Sequence, residues 1–147
     1  MANWGVTVAK VGQKQKKSFL KMKVIFMSDL QPDLLIENYV FCTFPQKKYG
    51  DLEHLCPISF FQENEGITLV ITEEMAKLHN LRFEGIFKCI SLKLISTLSS
   101  VGLTKKIASL LANKDISANI YAGYYHDHIF VPLERADEAF MLLSESK

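Results

Sequence analysis

Short apolar runs separated by turn-forming residues recur along the chain, and their spacing predicts a sheet of several strands. Alternating or β-branched stretches predict strands at residues 39–44, 58–61, 67–71, 83–95, 116–122 and 128–131. The polar turn at 63–66 ends in a glycine, which can adopt a positive φ and close a hairpin. The run at 83–95 is the longest, so we expect it to lie at the centre of the sheet.

Apolar residues at helical spacing predict four helices, at residues 22–30, 72–80, 103–111 and 136–143. We expect residues 31–33, which contain a proline, to end the first helix. Thr72 is a candidate N-cap for the second helix, and Ser99 and Ser100 are candidate N-caps for the third.

The order of these elements gives two similar halves. Each half resembles a ferredoxin-like βαββαβ unit that lacks one terminal strand, with the strand at 83–95 at their junction. We therefore predict an α+β fold in which an antiparallel sheet carries its helices on one face. The predicted divisions are a basic arm at 1–21, an incomplete unit at 22–83 and a second unit at 84–147.

Composition indicates a folded protein. Hydrophobic residues make up 48% of the 147 residues, which is enough for a buried core and excludes a disordered chain. No apolar run approaches the roughly 18 residues that a membrane span needs. Three widely spaced cysteines indicate free thiols in a reducing compartment. We therefore expect a cytoplasmic protein without a membrane partner.

Charge is distributed unevenly. Residues 1–23 contain six lysines and no acid, so the formal charge of +1 for the whole chain leaves −5 for residues 24–147. This negative balance argues against nucleic acid as a partner of the folded part. The amino-terminal lysines indicate a solvated arm or a start codon assigned too early, with contact to RNA or an anionic membrane as the alternative.

The stretch at 123–132 reads GYYHDHIFVP and predicts a hairpin that leads into a strand. If it is extended, His126 and His128 project from one face of the sheet and Asp127 from the other. No third ligand has a matching spacing, so we predict neither a metal site nor a cofactor here. A polar turn or a subunit interface that includes Tyr124 and Tyr125 is the main interpretation, and acid–base chemistry is the alternative.

Three runs carry a resemblance to a known family: NYVFCTF at 38–44, the pair EGITLVI and VGLTKKIASLLA, and ISANIYAGYYHDHIFVP at 116–132. Together they resemble the ACT domain, and in particular short stand-alone bacterial tandem-ACT proteins of uncharacterised function. The resemblance covers residues 28–145 and does not include the lysine-rich arm. It implies a small-molecule ligand, most typically an amino acid, bound at an interface between two modules.

The resemblance also implies where such a ligand binds. The loop Ser100, Val101, Gly102 and Leu103 opens a helix, whose unpaired amides and positive dipole suit a carboxylate. Asn119 occupies the strand position at which several ACT domains use an asparagine on the ligand, and its amide can both donate and accept. In the simpler interpretation no ligand binds here: Ser100 is only a helix cap, Gly102 allows close packing and Asn119 faces solvent.

We therefore expect a non-catalytic, self-associating regulatory module, most simply a homodimer. The alternatives are a metal-dependent or acid–base enzyme that uses His126, Asp127 and His128, and a purely structural or protein-interaction module.

Overall fold

The structure, a computed structural model, describes residues 29–94 and 100–145. Within these ranges the strands are β1 (Pro32–Pro45), β2 (Ser59–Glu63), β3 (Gly66–Thr72), β4 (Phe87–Leu92), β5 (Asn119–Ala122) and β6 (Asp127–Pro132). The α-helices are α1 (Glu73–Leu78), α2 (Leu103–Ala112) and α3 (Ala136–Glu145).

All six strands form one antiparallel sheet in the order β2-β3-β1-β4-β6-β5. β1 pairs with β4 through its first half and with β3 through its second half, and Tyr39 is paired on both sides. The strands β2, β3, β1 and β4 therefore complete one ferredoxin-like unit, and β5, β6, β4 and β1 complete the other. The two units share their central strands, which explains why each half of the sequence lacks one strand.

The helices lie on one face of the sheet and cover two apolar clusters. The larger cluster joins α2 and α3 to β4, β5 and β6, with Ile107, Leu111 and Leu143 fully buried. The smaller cluster joins α1 to β1 and β3 around Val40 and Ile71. The predicted apolar stripes of the helices are confirmed, because burial of one face stabilises short helices that would not form alone.

The opposite face of the sheet carries no helix among the described residues, yet its centre is buried. Tyr39, Val70, Cys89 and Phe130 pack together there. The sheet curls strongly around this cluster. Burial raises the pKa of Tyr121 on β5, and the carboxylate of Glu63 on β2 adds to the effect, so the two edge strands approach each other.

The amino-terminal unit has a loop where its first helix would lie. Residues 46–58 contain only a 3₁₀ turn at Glu53–Leu55. Leu55 is buried in the smaller cluster, so this one side chain covers part of the sheet that a helix would otherwise cover.

Two local predictions are confirmed by hydrogen bonds and backbone geometry. The Thr72 hydroxyl accepts a hydrogen bond from the Met75 amide at 3.2 Å and caps α1. Gly66 closes the β2–β3 turn with φ 151°, and a Cβ there would lie 2.3 Å from the Phe44 carbonyl oxygen.

Three predictions about element boundaries need correction. β1 is the longest strand and begins at Pro32, where a break was expected. Proline is tolerated there because it is the first residue of the strand. The strand predicted at 83–95 is β4, which begins only at Phe87 because Gly85 has a φ of 75°; its central position is confirmed.

One further correction concerns the start of β5, and two predictions fall largely or wholly outside the described residues. The strand predicted at 116–122 begins only at Asn119, because the Ile116 amide bonds back to the Leu111 carbonyl at 3.0 Å. The helix predicted at 22–30 lies outside the described residues except for its last two, as does the candidate cap Ser99.

Candidate functional site

The amino terminus of α2 is open. Its N-cap is Gly102, which is in the left-handed region at φ 97° and has no side chain with which to cap the first turn. The N-cap therefore lies two residues after Ser100, so the prediction of Ser100 as the N-cap is wrong. Leu103 is buried beneath the helix, whereas Val101 is 90% exposed beside its end.

The charge of this first turn favours an anion. It contains no acidic residue, and Lys105 and Lys106 lie in it. The first amides of a helix have no intrahelical acceptor and lie at the positive end of its dipole. A Cβ built on Gly102 would meet no atom within 4 Å, so the space beside these amides is unoccupied by the described part of the protein. The turn can therefore accept a carboxylate.

Asn119 lies at the other end of α2. It is the first residue of β5, is exposed, and pairs with Phe130 on β6. The chain reaches it directly from the carboxyl end of the helix, where Arg135 donates to the Lys114 carbonyl at 3.0 Å. Strand alternation places its side chain on the face that carries Tyr121, away from the helices.

One chain therefore does not bring the two parts of the expected site together. A ten-residue helix is about 15 Å long, and it separates the Gly102 turn from the start of β5. The asparagine and the turn can contact one small ligand only if they come from different copies of the chain.

The hairpin between β5 and β6 forms as predicted. The Gly123 amide donates to the His126 carbonyl at 2.9 Å, and a Cβ on Gly123 would lie 2.7 Å from the same oxygen. Tyr124 and Tyr125 lie at the tip, largely exposed, with ring centroids 5.0 Å apart. The tip offers two aromatic rings to solvent or to a partner.

The two histidines of this hairpin are partly buried. The Nδ1 atoms of His126 and His128 are both shielded from solvent and have no hydrogen-bond partner among the described residues. Burial lowers the pKa of His128, the charge of His126 adds to this, and Asp127 opposes it. Burial raises the pKa of Asp127, against the opposing effect of both imidazoles. Asp127 and His128 therefore both have a reduced tendency to carry charge.

A cavity of about 230 Å³ lies between the loop at 46–58 and the edge of the sheet. Tyr49 and Phe60 line it with ring centroids 4.9 Å apart, and Lys48 and Glu53 bring one charge of each sign. No motif in the sequence predicts this cavity. The only local signal was a polar loop holding a tyrosine and followed by a Phe-Phe strand, which does not show that the loop replaces a helix.

In the part of the chain that the structure describes, no three His, Cys, Asp or Glu side chains converge to hold a metal ion. No helix in residues 29–94 and 100–145 is both long and apolar enough to cross a membrane.

Comparisons with known proteins agree with this fold. ACT-domain family profiles match residues 25–88 and 85–145. A crystal structure of a Vibrio cholerae protein of unknown function, described as a possible transport protein, is 42% identical over 82% of this chain and 91% of that one, with a TM-score of 0.74. The chain therefore belongs to the ACT-domain family, as a tandem of two units. A search of curated proteins found no match.

More distant structures share the fold alone. The regulatory subunit of aspartate kinase from Thermus thermophilus, in its ligand-free form, is 11% identical over 82% of this chain and 98% of that one, with a TM-score of 0.60. An Agobacterium tumefaciens protein is 13% identical over 79% of this chain and 87% of that one, with a TM-score of 0.65.

Proposed function

We propose that this protein is a non-catalytic regulatory module of the cytoplasm that binds an amino acid and self-associates. ACT domains are regulatory ligand-binding modules as a class, and the coarse assignment rests on the family membership. The observation that carries the finer proposal is the glycine N-cap of α2 at Gly102, followed by a first turn without an acidic residue.

The proposed ligand places its carboxylate against the first turn of α2. Gly102 offers the amides that follow it no side-chain cap of its own, and the first turn has no acid that would compete with the ligand. Helix amino termini bind anionic groups through this combination of free amides and dipole. The flanking residues Ser100, Val101 and Leu103 shape the loop that the ligand contacts.

The amino group of the ligand is proposed to contact Asn119 from a second copy of the chain. An amide oxygen can accept from an ammonium, and the amide nitrogen can donate to a carboxylate. Asn119 is exposed on an edge strand, where a neighbouring copy can approach it. A homodimer would then hold two equivalent sites, each built from one loop and one asparagine.

The hairpin tip is proposed as part of the contact between copies. Tyr124 and Tyr125 expose aromatic rings, and residues of this type are enriched at protein interfaces. His126, Asp127 and His128 lie at the base of the same hairpin, so they would border this contact.

The first test is a thermal-shift screen of the full chain against the twenty amino acids. A ligand at about 100 times its dissociation constant adds roughly 2.7 kcal/mol to the free energy of unfolding. Gly102→Asp should abolish the response, because its carboxylate occupies the amides and repels the ligand. Gly102→Ala is the matched control, since it meets the same backbone restriction without the charge.

A mixing experiment tests whether the site is shared. Gly102→Asp and Asn119→Ala are each expected to lose binding, whereas Ser117→Ala, a neighbouring exposed position, should retain it. In a mixed dimer of the two inactive variants, one site combines an intact loop with an intact asparagine. Half of the dimers in an equimolar, freely exchanging mixture are mixed, so recovery of about one quarter of the binding capacity supports a shared site, and no recovery contradicts it.

A protein-interaction module without a small ligand is the second candidate, and the exposed tyrosine pair favours it. It predicts no response to any amino acid. It also predicts that Tyr124→Ser with Tyr125→Ser shifts the molecular mass measured by light scattering toward that of the monomer.

A further inference from the structure

The structure brings together two histidines that are remote in sequence. His54, in the 3₁₀ turn Glu53–Leu55, and His79, at the carboxyl end of α1, have ring centroids 5.6 Å apart and ring planes inclined at 64°. Both side chains are exposed. We propose that this pair binds a divalent transition-metal ion of the class that prefers imidazole, such as Cu²⁺, Ni²⁺ or Zn²⁺.

The backbone at both histidines is fixed. The 3₁₀ turn closes with the Cys56 amide donating to the Glu53 carbonyl at 3.0 Å, and Leu55 anchors it in the core. The carboxyl end of α1 closes with the Leu81 amide donating to the Ala76 carbonyl at 2.9 Å. The two imidazoles therefore approach each other from anchored positions, which lowers the entropy cost of binding one ion.

The separation of the rings suits a shared ion. With metal–nitrogen bonds of about 2.0–2.1 Å, two imidazoles on one tetrahedral ion have ring centroids roughly 5–5.5 Å apart. The observed 5.6 Å requires only a small rotation of two exposed side chains. A site of two anchored imidazoles leaves the remaining coordination positions to water, consistent with the absence of a converging third ligand among the described residues.

Cys56 is the cysteine nearest to His54 in sequence. It lies two residues after His54, is exposed, and its thiol is directed toward the His54 carbonyl at 3.9 Å. The proposal does not require it, so Cys56→Ser should bind the ion as the unmodified protein does.

A bound ion would join two parts of the amino-terminal unit. His54 belongs to the loop that covers the 230 Å³ cavity, which Glu53 lines, and His79 belongs to α1. The ion would thus tie the loop to the helix and restrict the loop's opening. This role is independent of the ligand site proposed at α2, so either can fail without the other.

The test is calorimetric titration of the full, untagged chain with Cu²⁺, Ni²⁺ and Zn²⁺, followed by electron paramagnetic resonance of the Cu²⁺ complex. We expect one ion per chain and two coordinated nitrogens. His54→Gln and His79→Gln should each weaken binding roughly tenfold or more and leave one nitrogen.

The matched control is the hairpin pair. His126→Gln and His128→Gln should leave the affinity and the two-nitrogen spectrum unchanged. Far-UV circular dichroism checks that all four variants fold. Absence of binding, retention of binding in His54→Gln and His79→Gln, or loss of binding only in the hairpin variants would each overturn the proposal.

Discussion

Phe41 on β1 and Tyr121 on β5 lie with ring centroids 6.2 Å apart, although β4 and β6 run between their strands. In a flat sheet three strand spacings would separate them by about 14 Å. The sheet is therefore rolled around its helix-free face. Phe130 lies between the two, at 5.6 Å from each ring, and holds this curvature together.

Replacement of Phe130 tests this arrangement. Phe130 is 1% exposed, so Phe130→Ala leaves a cavity and should lower the free energy of unfolding by about 3–5 kcal/mol. Phe61→Ala is the matched control, because strand register places that ring on the same face but it is 64% exposed. The control should change stability by no more than about 0.5 kcal/mol in urea unfolding. Equal effects of the two substitutions would contradict the curled arrangement.

Much of this fold could be predicted from local patterns. The cap at Thr72 depends on residues within one helical turn, and the stripe of Leu103, Ile107 and Leu111 depends on spacing along one helix. The sharing of β1 and β4 could not be predicted in this way, because it depends on pairing between distant segments. The start of β4 was missed because Phe83 continues an apolar run that Gly85 interrupts by its conformation alone.

The candidate site was less predictable than the fold. The sequence points to the turn at Gly102 and to Asn119 as separate features, but their positions at opposite ends of α2 follow only from the direction of each element. The approach of His54 to His79 has no local signal at all, since it depends on how a loop packs against the end of α1. Sites that combine distant segments of the chain can be recognised only from the structure.

Gly66 is the glycine for which substitution should cost most. A Cβ there would lie 2.3 Å from the Phe44 carbonyl oxygen, and φ is 151°. Backbone strain and a forced contact each cost about 1–3 kcal/mol. Gly66→Ala should therefore lower the free energy of unfolding, measured by chemical denaturation, by the sum of the two costs. Gly50 has φ 92°, but no atom lies nearer than 4.0 Å to a Cβ built there. Gly50→Ala should therefore lower the free energy of unfolding by the cost of backbone strain alone. A Gly66→Ala protein no less stable than Gly50→Ala would show that the β2–β3 turn relaxes without cost.

The three cysteines should differ in reactivity. Burial raises the pKa of Cys89 to about 12 and also raises that of Cys42, whereas Cys56 is exposed. Because the thiolate is the reactive form, Ellman's reagent should label one thiol per native chain and all three in guanidinium chloride. Cys56→Ser should abolish the labelling of the folded chain by this reagent. Rapid labelling of that variant would show that the sheet opens readily around Cys42 or Cys89.

His128 should make the protein less stable in mild acid. Its pKa is lowered in the folded state by burial, and within residues 29–94 and 100–145 its shielded Nδ1 has no acceptor for a second proton. The unfolded chain therefore binds the proton more readily below pH 6.5, and stability falls as the pH drops from there toward the folded-state pKa. Urea unfolding between pH 7.5 and 5 should show this loss, and His128→Gln should reduce it.

Asp127 should affect the pH dependence of stability with the opposite sign to His128, and at lower pH. Burial raises its pKa above 3.8, so the folded state binds the proton more readily than the unfolded chain. Between pH 3.8 and the folded-state pKa, its contribution to stability decreases as the pH rises. Asp127→Asn should remove that contribution while leaving the loss below pH 6.5 in place. If Asp127→Asn instead removed the loss below pH 6.5, the pH dependence would belong to the aspartate and the assignment to His128 would be wrong.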